Sequence, residues 1–382
     1  MNYTKGKQSQ EQFTPFKQTP IISVDIDGTL VDKKAKIRLV SKENKQSIKD
    51  FTNKGGILIL NSAGTFANCK KIAKCAKIKT VISSNNGAFV SIPEHSDKPL
   101  INLRVSPETI SKIKSRLAEV EPNAFVAISG KDKKYYVDRS SKMVKLFKLK
   151  EFFKFRNKLS ISTKKKNYED MMLKAYSVQI FPLPSKAGFT KETKVISKEE
   201  QVAITKKVLG VLKEIMEEEI KTNGKPSFKM EMGDMGISIS HPQASKLNAI
   251  KAIVEQHNQQ NPSSPITSDN IYAVGDGFQD MCQVLATENP AKQFFTMNNT
   301  KASTYENGVA FEEIINKQIL ERKKQKELEK LNKKETVETI LDDIDEIKLD
   351  ENEKFSFKNN QVNSVSEAIS KVTERTESQP VR

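Results

Sequence analysis

Short aliphatic runs that stop at acidic, small or glycine residues recur along this chain. Ile21-Ile22-Ser23-Val24 is the first, and its length and branched side chains predict a buried strand. Ile57-Leu58-Ile59-Leu60 and Ile271-Tyr272-Ala273-Val274 have the same character. Between the first two, Ser41 opens a segment that turns Ile48 and Phe51 to one side, which predicts a helix. A second helix is predicted from Lys246, with Leu247, Ile250 and Val254 at helical spacing. Strands alternating with helices predict an α/β class with a Rossmann-like, doubly wound parallel sheet, whose ligand lies beyond the carboxyl ends of the strands.

Between Ala88 and Gly236 the pattern changes for about 150 residues, the size of a small domain. Ser106-Pro107-Glu108 predicts a helix start, with Ile110, Ile113, Leu117 and Val120 on one face. Phe125–Ile128 and Tyr135–Val137 predict a hairpin around Gly130-Lys131-Asp132, and Ala175–Phe181 a further strand. Ser197-Lys198-Glu199-Glu200 is a capping box before Ile204, Val208, Leu212 and Ile215. Helices and strands in this mixed order predict an α+β domain inserted into the first. The expected organisation is a flexible segment 1–18, a core of 19–89 and 237–316, an inserted cap of 90–236 and a charged tail of 317–382. In the tail, Ile340, Ile344 and Ile347 would suit one amphipathic helix, and the final stretch, rich in Ser, Asn, Gln and Glu, reads as disordered.

Chemistry concentrates where the core strands end. Asp25-Ile26-Asp27-Gly28-Thr29 sets two carboxylates one residue apart at a glycine turn, a candidate phosphoryl-transfer site. Asn61-Ser62, Ser245-Lys246 and Gly275-Asp276-Gly277-Phe278-Gln279-Asp280 follow in order, and Ser84-Asn85-Asn86-Gly87-Ala88 and Thr296-Met297-Asn298-Asn299 lie between and after them. Together these segments resemble the motifs of the haloacid dehalogenase superfamily, in its Cof-type branch of hydrolases of small phosphorylated metabolites, over roughly residues 20–315.

The resemblance implies a role for each residue. Asp25 would attack phosphorus and form an aspartyl-phosphate, and Asp27 would protonate the leaving alcohol and then deprotonate water. Ser62 would donate a hydrogen bond to a phosphoryl oxygen, and Lys246 would hold another as a point charge. Asp25, the backbone carbonyl of Asp27, Asp276 and Asp280 would form a hard-oxygen site for Mg²⁺. On residue type alone, Ser62 also suits a plain turn, Ser245 a helix N-cap followed by a solvated Lys246, and Asp280 a first-turn acid favoured by the helix dipole. The chain departs from the family pattern at Ala63 and Gly64, where a glycine and an arginine are usual, at Leu247 and at Gln279.

The formal charge of +16 falls mostly in the inserted domain, where Lys142 to Lys158 and Lys164-Lys165-Lys166 are densest. A basic cap could steer phosphorylated ligands or be no more than a lysine-rich surface, and the scarcity of interleaved aromatics argues against a nucleic-acid platform. Cys69, Cys75 and Cys282 are odd in number, and His95, His241 and His257 make no zinc pattern with them, which fits a reducing cytoplasm. No apolar stretch reaches membrane-spanning length and no signal-peptide pattern is visible. The activity that the resemblance implies is Mg²⁺-dependent hydrolysis of a small phosphorylated metabolite such as a sugar phosphate. A phosphosugar mutase and a catalytically weakened binding protein are the alternatives, and the physiological substrate and oligomeric state are not readable.

Overall fold

A computed structural model describes residues 16–32, 39–93, 98–122, 124–132, 134–137, 160–162, 165–181, 198–233, 236–276, 280, 283, 293–297, parts of 316–354, and 360–378. Ser197, Lys164, the region from Lys142 to Lys158, Gly277, Phe278, Gln279, Cys282, Asn298, Asn299, Ile340, Ile344 and Ile347 lie outside the described residues. In chain order the strands are β1 (Ile21–Val24), β2 (Ile57–Asn61), β3 (Val81–Ser84), β4 (Phe89–Ser91), β5 (Ile101–Asn102), β6 (Phe125–Ser129), β7 (Lys134–Val137), β8 (Ser160–Ser162), β9 (Ser177–Phe181), β10 (Lys229–Gly233), β11 (Gly236–Ser240), β12 (Ile271–Gly275), β13 (Phe294–Met297) and β14 (Gln361–Val362). The helices are α1 (Lys42–Asn53), α2 (Phe66–Ala76), α3 (Pro107–Val120), α4 (Lys165–Met172), α5 (Lys198–Asn223), α6 (Lys246–Gln260) and α7 (Val365–Ser378). The chain forms two compact units, Met1–Leu60 with Ala73–Val81 and Ile253–Arg382, and Asn61–Ile72 with Ile82–Ala252.

The first unit holds the parallel strands in the order β14-β13-β12-β1-β2. Every residue of β1 and of β12 is buried, as strands covered on both faces require. From β1 the chain passes through α1 to β2 on one side, whereas β12, β13 and β14 lie on the other. β1 and β12 therefore meet where the strand order reverses, the place at which open α/β sheets bind ligands. Ser41 caps α1 as expected, its Oγ accepting the Asn44 N–H at 3.0 Å, and Ile48 and Phe51 are buried.

The C-terminal stretch corrects the expectation of disorder. β14 extends the parallel sheet beside β13, and α7 buries Val365, Ala368, Ile369 and Val372. The helix packs on α1, where the Ser366 N–H donates to Asn44 Oδ1 at 2.9 Å and the Ser47 and Ser366 hydroxyls meet at 2.6 Å. Its apolar positions recur at i, i+3, i+4 and i+7, but a polar composition masks them, and packing rather than propensity stabilises such a helix.

The second unit contains β3, β4 and β5 as an antiparallel meander and a six-stranded sheet in the order β10-β11-β9-β6-β7-β8. The predicted hairpin is β6 and β7, antiparallel, with Ala127 opposite Val137. Ile110, Ile113 and Leu117 of α3 and Val208, Leu212 and Ile215 of α5 share one core with Ile128, Val178, Ile180, Ile237 and Ile239. This is the expected α+β domain. Two apolar faces were misjudged by one position. Val120 ends α3 with 45% exposure, because the chain turns away once the Glu121 N–H bonds the Leu117 carbonyl. In α6 the buried stripe is Lys246, Ala249, Ile250 and Ile253, leaving Leu247 and Val254 half-buried.

Candidate active site

Asp25 leaves β1 at the reversal point, with its N–H donating to the Val274 carbonyl at 3.0 Å. The turn after it closes through Gly28 N–H to Val31 O at 2.8 Å and Val31 N–H to Ile26 O at 2.9 Å. Gly28 has φ 96°, a left-handed conformation that disfavours a side chain. Asp27 forms an isolated bridge with Val31 inside this tight loop. Asp276 follows β12, the neighbouring strand, so the two acids are neighbours by register, Val24 lying opposite Val274.

Asp25, Asp276 and Asp280 each present a carboxylate oxygen within 4.8 Å of the others. Asp25 and Asp280 are 7% and 3% exposed. Three carboxylates this close repel one another unless a cation or protons intervene. Gly275 is what admits the third: a Cβ there would collide with the Cβ and Cγ of Asp280. A cluster of hard oxygens, opened by a residue without a side chain, fits a small divalent cation such as Mg²⁺.

Two residues of this cluster were not foreseen from the sequence. The Ser23 Oγ donates to Gln283 Oε1 at 2.5 Å, and Gln283 Nε2 donates to Asp280 Oδ1 at 3.3 Å, with Ser23 and Gln283 both fully buried. The pair orients the Asp280 carboxylate from behind. A serine inside an otherwise aliphatic β1 was the available signal.

Ser62 and Lys246 belong to the second unit. Ser62 is 3% exposed, and its Oγ accepts the Gly64 N–H at 3.0 Å, which leaves its own proton to donate. Ser245 does cap α6, its Oγ accepting the Asn248 N–H at 2.9 Å, but Lys246 is only 6% exposed rather than solvated. Asn61 braces this region, donating through Nδ2 to the Lys246 carbonyl at 3.1 Å and accepting from Ser83 Oγ at 2.7 Å. The loop after β3 rests on Ser62 through Asn86 N–H to Ser62 O at 3.1 Å and Asn85 N–H to Gly64 O at 2.9 Å. Asn85, Asn86 and Gly87 are all left-handed, with φ of 50°, 53° and 82°. A Cβ at Gly87 would strike the Ser245 carbonyl, so Ser62, this loop and the start of α6 form one close-packed group.

The sequence model of the haloacid dehalogenase-like hydrolases matches residues 22–290. A curated relative, the 5-amino-6-(5-phospho-D-ribitylamino)uracil phosphatase of Bacillus subtilis (strain 168), is 28% identical over 70 residues, 18% of this chain and 27% of that protein. The chain thus spans about a quarter of the length of that relative. Among solved structures, a haloacid dehalogenase-like hydrolase from Bacteroides thetaiotaomicron superposes with a TM-score of 0.53 at 16% identity, covering 76% of this chain and 92% of that one. A second protein of that organism, described among the phosphatases of the haloalkanoate superfamily, gives a TM-score of 0.53 at 12% identity over 80% and 91% of the two chains. A haloacid dehalogenase-like hydrolase from B. subtilis gives 0.50 at 18% identity over 75% and 92%. At such identities these structures speak for the fold, and with the family match over residues 22–290 they establish that the chain belongs to the haloacid dehalogenase-like hydrolases.

Proposed function

We propose that this chain is a Mg²⁺-dependent phosphatase of small phosphorylated metabolites, acting through an aspartyl-phosphate on Asp25. The observation that carries the reading is the gathering of Asp25, Asp276 and Asp280 within 4.8 Å at the reversal of the strand order. Asp25, the Asp27 carbonyl, Asp276 and Asp280 would hold the ion. When bound, Mg²⁺ would neutralise these acids and the phosphate charge that otherwise repels an anionic nucleophile.

The remaining chemistry belongs to the side chains. A carboxylate oxygen of Asp25 attacks phosphorus and the ester bond to the leaving oxygen breaks. Asp27 donates its proton to that oxygen, then accepts one from the water that hydrolyses the acyl phosphate. Ser62 donates its hydroxyl proton to a phosphoryl oxygen and Lys246 balances another, a role that suits a cation shielded from water. Residues 19–89 and 237–316 would supply this chemistry, and the insertion 90–236 would choose the substrate. A reducing, cytoplasmic setting fits Cys69 and Cys75, which are thiols rather than half-cystines.

The test is phosphate release from phosphorylated sugars, nucleotides and cofactors, with and without Mg²⁺, by the parent and by Asp25→Asn. Release that requires metal and vanishes in the folded variant is expected. Equal turnover by both proteins would remove Asp25 as nucleophile. Interconversion of phosphosugar isomers with little free phosphate would indicate a mutase, and no turnover of any ester would indicate a binding protein.

A further inference from the structure

β1 is buried along its whole length, yet its third residue is a serine. A buried hydroxyl is costly unless it finds a partner, and the partner of Ser23 is a second fully buried polar side chain, Gln283, whose Oε1 accepts its proton at 2.5 Å. Packing does not require such a pair. Exchanging both members of a buried hydrogen bond for apolar side chains of similar size is close to neutral, and alanine with methionine would leave nothing to satisfy. Neither Ser23 nor Gln283 is among the residues to which the family resemblance gives a role.

What the pair adds is a direction. A carboxylate only accepts hydrogen bonds, so the end of the Gln283 amide that faces Asp280 is Nε2, which lies 3.3 Å from Oδ1. Oε1 then points to Ser23, whose hydroxyl has to donate. The amide has one orientation, set at one end by the strand and at the other by the acid. Ser23, Gln283 and Asp280 are all buried, so bulk water does not compete for these positions.

The two oxygens of Asp280 are thereby made unlike. Oδ1 carries the Gln283 proton. Oδ2 is the oxygen nearer Gly275, 2.6 Å from the place a Cβ would take there. It therefore lies at the end of β12, where Asp276 follows and where Asp25 leaves the neighbouring strand. A carboxylate free at both oxygens can close on a cation with both, whereas one held by an amide at Oδ1 offers a single oxygen. That difference discriminates between ions. Mg²⁺ demands a tight octahedral shell that a two-oxygen bite distorts, while the larger Ca²⁺ accepts about six to eight oxygens and often takes a carboxylate by both.

We propose that Ser23 and Gln283 are positioning residues that hold Asp280 for single-oxygen coordination through Oδ2, and that they thereby set the preference of the site for Mg²⁺ over Ca²⁺. The inference rests on the metal-dependent reading of the acid cluster and adds to it the two residues that fix its geometry from inside the sheet.

The experiment follows the melting midpoint of the full chain across Mg²⁺ and Ca²⁺ series, which reads the affinity of the folded state for each ion without any substrate. The parent should bind Mg²⁺ more tightly than Ca²⁺. Gln283→Met keeps the length of the side chain and removes its donor. It should weaken Mg²⁺ binding by about tenfold, the lower end of the loss found when a group behind a metal ligand is removed, and Ca²⁺ binding by less than about threefold. Ser23→Ala should shift the ratio of the two affinities in the same direction by a smaller amount, because the amide loses the anchor that fixes its orientation. The double variant should match Gln283→Met, since Ser23 acts only through that amide. Midpoints without added ion record any purely structural effect separately. A parent that binds the two ions equally, an affinity ratio unchanged in the folded variants, equal losses for both ions, or a double variant that sums the two single losses overturns the proposal. If Gln283→Met does not fold, the ratio in Ser23→Ala decides. A parent whose midpoint responds to neither ion removes the metal-dependent reading of the site, and this inference with it.

Discussion

Gly275→Ala tests whether the acid cluster depends on a missing side chain. An added Cβ would overlap the Cβ and Cγ of Asp280 as well as its Oδ2. The Cβ of Asp280 is fixed to its backbone and cannot rotate away, so the end of β12 or the backbone at Asp280 must move. Overpacking of this kind costs about 1–3 kcal/mol, and the lower chain entropy of unfolded alanine returns about 0.4–1 kcal/mol, for a net loss on the order of 1–2 kcal/mol. Gly210, inside α5, is the control, because nothing lies within 4 Å of its virtual Cβ. Alanine there should stabilise by roughly 0.5–1 kcal/mol, the ordinary helix preference. Thermal melts across a Mg²⁺ series read both consequences. An ion that binds only the folded state raises the melting midpoint with concentration. The Gly275→Ala protein should melt below the parent and need at least about tenfold more Mg²⁺ for the same rise, the effect of about 1.4 kcal/mol in ion affinity. Stability and Mg²⁺ response identical to the parent would show that Asp280 does not stand where a metal is held.

Two further outcomes follow from packing and titration. Val372→Ala deletes two fully buried methyl groups from α7 and should lose about 1.5 kcal/mol or more, seen as a lower urea midpoint at unchanged slope. Truncation after residue 360 should destabilise far more, and a truncated protein as stable as the parent would contradict a structural role for β14 and α7. Burial, with the Asp132 carboxylate that accepts its hydroxyl, pushes the Tyr136 phenol up to about 12. A raised value means the folded state holds this proton more tightly, so the stabilisation is complete below pH 10 and is lost as pH rises toward 12. Burial also raises the phenols of Tyr176 and Tyr272, so absorbance titration should show several tyrosines of the folded protein ionising late, and Tyr136→Phe should remove one tyrosine from that late step.

The parts of the fold legible in the sequence are those where one local signal suffices. β1, β2 and β12 were visible because strands buried on both faces are unbroken aliphatic runs, and α1 because Ser41 and the Ile48 and Phe51 pair mark its start and inner face. The acids were legible for the same reason, standing where those runs stop. Their approach to one another was not, since it depends on β12 lying beside β1 across some 250 residues of sequence. α7 escaped notice because Val365, Ala368, Ile369 and Val372 are thinly set among Ser, Glu and Thr, and its stability comes from α1. Gln283 was invisible because nothing local to it announces that Ser23 needs a partner.

The departures from the family pattern near Ser62 have a common physical basis. The Gly64 N–H fixes the Ser62 hydroxyl, and a Cβ at position 64 would stand 3.3 Å from that oxygen, tighter than ordinary contact. The same short turn supplies the Gly64 carbonyl to Asn85, which holds the loop carrying Asn86 against Glu231. Glycine at position 64 carries no positive side chain, while its amide holds the Ser62 hydroxyl and its carbonyl anchors the loop after β3. In the proposed reaction charge compensation would then fall to Lys246, whose burial makes a single ammonium group count for more than it would in water.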